Sequence, residues 1–96
     1  MSERIAVFPG SFDPVTIGHV SIVMRALPLF DRIVVAMGEN STKSYMFPFE
    51  QRLDWLKKSF AHSPKIEAIS FQGLTADLCV ELGAKHIVRG LRNSTD

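Results

Sequence analysis

Apolar runs of strand length alternate with amphipathic stretches of helix length along this chain, and that alternation constrains the fold more than any other feature. Ile5-Ala6-Val7-Phe8, residues 33–37 (IVVAM), residues 66–71 (IEAISF) and His86-Ile87-Val88 read as four strands. The first two are almost unbroken in apolar character, as expected of strands covered on both faces of a parallel sheet. Three helical patterns lie between them. The first starts near Ile17 and sets Val20, Val23, Met24 and Leu27 on one face until Pro28 ends or kinks it. The second starts at Pro48, a good first-turn residue, and spaces Phe49, Leu53, Leu56 and Phe60 along one stripe. Glu50, Arg52, Asp54, Lys57 and Lys58 fall mostly on its wetter side, and Trp55 beside the stripe reads as packing. The third runs from about Thr75, a plausible N-cap, to Gly83, a plausible C-terminal glycine. Strand, helix, strand, repeated, predicts an α/β fold: a doubly wound parallel sheet with right-handed crossovers in one domain over residues 1–96.

Composition removes several classes. With 46% hydrophobic and 22% charged residues the chain is ordinary for a globular domain. A net charge of +1 with interspersed signs argues against a nucleic-acid groove, so an anionic ligand has to be held by a few well-placed groups. The single cysteine, Cys79, excludes an internal disulfide framework or a multi-cysteine zinc site, and its apolar neighbours make it buried filler. No signal-peptide pattern and no apolar run of membrane-spanning length is seen, which makes the cytoplasm the default location.

In an open α/β sheet, ligands bind outside the carboxyl ends of the strands. The most polar and least periodic segments of the chain converge there. Between the first strand and first helix lies Pro9-Gly10-Ser11-Phe12-Asp13-Pro14-Val15-Thr16-Ile17-Gly18-His19. Gly10 allows close backbone approach, and Ser11 presents a hydroxyl and an amide. Gly18 and His19 fall in the first helical turn, where unpaired N–H groups and the helix dipole favour phosphate. A histidine there is an odd choice for stability and makes sense if its ring donates to a phosphate. Lys43 follows the second strand, Thr75 the third, and Arg89-Gly90-Leu91-Arg92 the fourth. Arg89 comes directly after an apolar strand, where an unpaired charge is costly, which suggests an anionic partner. Asp13 is the one candidate for a metal, though capping a turn suits it better.

Thr16-Ile17-Gly18-His19 behind Pro9-Gly10-Ser11-Phe12-Asp13-Pro14 resembles the T/HxGH signature of the cytidylyltransferase-like nucleotidyltransferases, a Rossmann-like fold. With threonine first, Lys43 after strand two, Glu50-Gln51-Arg52, and Arg89-Gly90-Leu91-Arg92 after strand four, it is similar to the phosphopantetheine adenylyltransferases among them. The resemblance implies that His19 contacts the ATP phosphates and stabilises the transition state. It implies that Ser11 holds the acceptor's phosphate, with Ser11 and Phe12 also meeting the nucleotide. Lys43 and Arg89 match the phosphopantetheine side, Thr75 the pantetheine arm, and Gly90, Leu91 and Arg92 the loop that meets ATP.

The reaction implied is attack of the 4′-phosphopantetheine phosphate on the α-phosphorus of ATP, giving dephospho-coenzyme A and pyrophosphate. The nucleophile is already anionic, so alignment and charge neutralisation are what the protein must supply. Mg²⁺ would arrive with ATP, since no carboxylate cluster offers a cage. The family implies homohexamers. Its members also continue past the point matching Asp96, with a further acidic residue and a Ser/Thr-rich helix start near the nucleotide. On that basis the C-terminal part of the fold is expected to be missing and the 96 residues alone to have little or no activity. Two other readings stay open: a sister enzyme acting on nicotinamide mononucleotide or glycerol phosphate, and a non-catalytic module that binds a phosphorylated ligand.

Overall fold

A computed structural model describes residues 3–39 and 44–89. Four parallel strands, β1 (Ile5–Gly10), β2 (Arg32–Glu39), β3 (Ile66–Gln72) and β4 (His86–Ile87), form one sheet in the order β3-β2-β1-β4. Three helices connect them: α1 (Ile17–Ala26), α2 (Phe49–Ser59) and α3 (Thr75–Leu82). A 3₁₀ turn over Leu27–Leu29 carries Pro28 and stops α1 where the sequence placed its end.

The central strands β1 and β2 are buried on both sides, and their alternation divides the core. Ala6, Phe8, Ile33, Val35 and Met37 face one layer with Val23 of α1 and Leu56 of α2, closed by Phe60. Ile5, Val7, Val34 and Ala36 face the other with Leu78 and Cys79 of α3 and Ala84. Helices therefore cover both faces, two on one and one on the other, and Cys79 is the buried filler its neighbours predicted. Among the described residues no helix is long and apolar enough to cross a membrane.

Three details differ from the sequence reading. Met24 is 37% exposed, while Ile22 and Ala26 join Val20 and Leu27 against the core, because α1 is rotated slightly about its axis. Thr75 and Pro48 are each displaced by one position: Leu74 caps α3 without a side-chain hydrogen bond, and Pro48 stands just before α2. Gly83 does close α3, in the left-handed conformation at φ 71°. The fourth strand is shorter and wetter than its apolar letters suggest: His86 and Ile87 alone pair with β1, at the sheet edge, and both are exposed.

The strand order places the site. From β1 the chain steps through α1 to β2 and through α2 to β3, all in one direction. It then crosses by α3 to the other side of β1. The direction of winding reverses between β1 and β4, and a crevice opens at the carboxyl ends of strands at such a switch point.

Candidate active site

The segment leaving β1 is built around two rings. Phe12 has φ 47°, an uncommon left-handed conformation for an aromatic residue, and its side chain is only 3% exposed. The ring packs edge-on against Phe8, with centroids 5.6 Å apart, and against His19, 4.9 Å away at 74°. A Cβ on Gly10 would stand 3.1 Å from the Phe12 ring, so the glycine makes room for that ring. Gly10 itself sits in the strand, and its φ is not positive. With its side chain in the core, Phe12 can offer a ligand its backbone amide only.

His19 has a structural partner that the sequence reading did not foresee. Thr16 caps α1: its Oγ1 accepts from the His19 N–H at 3.3 Å, and the Thr16 N–H donates to His19 Nδ1 at 2.9 Å. This is a capping box in which imidazole replaces the usual Glu or Gln three residues after the cap. The Thr-x-x-His spacing is thus stabilising in its own right. It also sets the tautomer. A ring nitrogen that accepts a backbone N–H carries no proton, so in the neutral ring the hydrogen is on Nε2, leaving that edge a donor. The first turn of α1 holds no acidic side chain, and the Ile17 and Gly18 amides have no intrahelical acceptor. A donor ring, two amides and the positive end of a helix dipole meet at one place, which is a setting for phosphate.

Beside it, a cleft of about 390 Å³ runs along the carboxyl edge of the sheet. Pro9, Gly10 and Ser11 form its β1 side, Gly38 and Glu39 the end of β2, Phe71 and Gly73 the end of β3, and Thr75, Tyr45 and Arg89 the rim. Three of the predicted residues, Ser11, Thr75 and Arg89, are therefore brought to one cavity from three separate connections. Arg89 is exposed, so the desolvation reasoning applied to it from sequence does not hold; its place on the cleft rim is what recommends it. His19 stands at the adjoining helix start and is not part of the cleft lining. Lys43, Gly90, Leu91 and Arg92 lie outside the described residues.

Asp13 is occupied elsewhere. Its Oδ1 accepts from the Phe47 N–H at 2.8 Å and its Oδ2 from the Met46 N–H, so the carboxylate ties the loop after β1 to the loop before α2. It caps a turn, as preferred, but one 33 residues away. Among the described residues no three His, Cys, Asp or Glu side chains gather in a way that could hold a metal ion.

Arg52 is the residue that sequence reasoning misplaced. Its polar character groups it with the residues mostly on the wetter side of α2, yet it is 2% exposed. Nε donates to the Phe47 carbonyl at 2.9 Å, Nη1 to the Ser11 carbonyl at 3.0 Å, and the guanidinium lies 3.9 Å from the Tyr45 ring centroid. The signal was there in the spacing, three residues after Phe49 and four before Leu56, which puts Arg52 at the border of the apolar stripe.

The parallel sheet carries a Thr-x-Gly-His helix start at its switch point, and the chain belongs to the cytidylyltransferase-like family, whose model matches residues 7–96. It is similar to proteins named phosphopantetheine adenylyltransferase. The one from Flavobacterium psychrophilum is 53% identical over 93 residues, covering 97% of this chain and 62% of that protein. Those from Christiangramia forsetii (53% over 91 residues; 95% and 60%) and Carboxydothermus hydrogenoformans (48% over 93 residues; 97% and 57%) match comparably. The chain spans about three-fifths of the length of these curated relatives. Among solved structures, the lipopolysaccharide core biosynthesis protein from Thermoplasma volcanium superimposes with a TM-score of 0.68 at 18% identity, over 90% of this chain and 73% of that one, a likeness of fold.

Proposed function

We propose that this chain carries the acceptor and phosphate-binding part of an enzyme that transfers the adenylyl group of ATP to 4′-phosphopantetheine, releasing pyrophosphate, in coenzyme A synthesis. The observation that supports it most is the Thr16–His19 capping box beside the cleft that holds Ser11, Thr75 and Arg89. In this reading the pantetheine phosphate lies in the cleft between the Ser11 hydroxyl and the Arg89 guanidinium, with Lys43 as a further cation, and the pantetheine arm runs toward Thr75. The ATP phosphates meet the Nε2–H of His19, the amides at the start of α1 and the Phe12 amide, with Gly90, Leu91 and Arg92 on the nucleotide.

The acceptor oxygen forms its bond to the α-phosphorus as the bond to the pyrophosphate oxygen breaks. The acceptor phosphate is the nucleophile, so no residue need take a proton from it. Catalysis then consists of alignment and of donors aimed at the crowded phosphoryl oxygens. Mg²⁺ would arrive with the ATP phosphates, and Asp13 spends both oxygens on loop amides. The ion would neutralise phosphate charge there. The enzyme would work in the cytoplasm as a homohexamer.

The test is a thermal-shift comparison of 4′-phosphopantetheine, nicotinamide mononucleotide and glycerol 3-phosphate, repeated on Arg89→Met. Stabilisation by 4′-phosphopantetheine alone, lost in Arg89→Met, is expected. A larger shift with either other ligand would assign the site to a sister nucleotidyltransferase.

A further inference from the structure

We propose that Arg52 is a positioning residue of this site: one buried guanidinium beneath the cleft holds the Ser11–Phe12 peptide and the Tyr45 ring where a phosphorylated ligand meets them. The inference rests on the phosphate-binding reading above and adds to it a residue from the covering helix.

The geometry is specific to a planar fork. The Nε and Nη1 hydrogens reach two carbonyls on different connections, Phe47 before α2 and Ser11 after β1, while the central carbon sits over the Tyr45 ring. Ser11 and Tyr45 both line the cleft. The Ser11–Phe12 peptide is trans, so drawing the Ser11 carbonyl down to Arg52 turns the Phe12 N–H to the opposite side. No hydrogen bond to that N–H is made among the described residues. The amide that can serve a phosphate is therefore aimed by a residue that need not touch the ligand.

Burying a guanidinium is expensive unless its charge is answered. Among the described residues Arg52 has no carboxylate within ion-pair distance; the ion pairs there are Arg32–Glu67 and Lys58–Asp54. Carbonyl oxygens and an aromatic face solvate it in part. An anion in the cleft above supplies the remaining compensation, which couples the arginine's burial to ligand binding.

Arg52→Lys separates geometry from charge, since an ammonium keeps the charge but cannot reach both carbonyls from over the Tyr45 ring as a guanidinium does. Leu78→Ala, in the core layer on the opposite face of the sheet, serves as a control for general destabilisation. On ¹⁵N-labelled protein, Arg52→Lys is expected to shift or broaden the Phe12 amide resonance without ligand and to weaken ATP binding by about tenfold or more, the scale of a lost charged hydrogen bond. Leu78→Ala should leave the Phe12 resonance and the ATP affinity as they are. An Arg52→Lys protein with an unmoved Phe12 amide and wild-type ATP affinity would overturn the proposal. So would equal losses in Leu78→Ala, which would mark the effect as general destabilisation. If unmodified protein binds neither ATP nor 4′-phosphopantetheine, the functional reading falls, and the Phe12 resonance then decides on Arg52 alone: moved supports it, unmoved overturns it.

Discussion

One imidazole does two jobs at the start of α1, and the division between its nitrogens makes both testable. Nδ1 closes the capping box with Thr16 and so belongs to folding, while Nε2 carries the hydrogen of the neutral ring and is the nitrogen the proposed phosphate contact would use. Thr16→Ala removes the side-chain acceptor for the His19 N–H and should cost about 1 kcal/mol in urea denaturation. The backbone N–H of residue 16 still donates to Nδ1, so ATP affinity should change much less than stability. Gly18 supplies the opposite case. A Cβ there meets only the Thr16 Oγ1, at 3.4 Å, so the folded protein has room for it. Gly18→Ala should leave the denaturation midpoint unchanged or slightly higher, since alanine is the better helix residue. The same methyl group would stand at the helix start, where a phosphate has to approach the amides, and ATP affinity should fall. A parallel loss of stability and binding in Gly18→Ala would show that the glycine serves the fold.

Among the elements, the two central strands and the apolar stripe of α2 were legible because each has a period and little to compete with it. Leu56 is fully buried in the layer beneath α1 and α2, and Leu56→Ala should cost about 3 kcal/mol by chemical denaturation. Val80 on α3 is 81% exposed, and Val80→Ser should change stability by less than about 0.5 kcal/mol. What the sequence hid follows from contacts between segments far apart in it. Arg52 looks polar in a helical wheel, and only the loops from β1 and β2 above it, with Ser11, Tyr45 and Phe47, explain its burial. Asp13 reads as a local turn residue, yet its oxygens hold amides from the far side of β2. Asp13→Ala should therefore destabilise by about 1 kcal/mol through the loss of two loop hydrogen bonds, one of them exposed, measurable by denaturation without any metal present. His19 stands out in the sequence by its spacing, but the capping box it forms with Thr16 is not legible there, because a histidine in place of Glu or Gln is not the usual signal.

At the scale of the whole molecule, the winding reversal between β1 and β4 turns three separate connections into one cleft, and this is why residues as distant in sequence as Ser11, Thr75 and Arg89 share a cavity. The segments meeting there could be ordered from sequence; the strand order that brings them together could not, because the apolar pattern is the same for any order of parallel strands. Ligand binding should be visible as global stability. At one hundred times its Kd, 4′-phosphopantetheine should stabilise the fold by about 2.7 kcal/mol, a rise in Tm of roughly 10 °C or more for a domain of this size. The central claim, that His19 caps α1 with one nitrogen and receives the ATP phosphates with the other, is tested most directly by His19→Glu. Glutamate restores the capping box and suits the helix dipole, but offers phosphate a negative charge in place of a donor. Calorimetric titration with ATP beside urea denaturation should show a midpoint equal to or above that of the unmodified protein and an affinity at least about tenfold lower. Unchanged ATP affinity in a stably folded His19→Glu protein would contradict it.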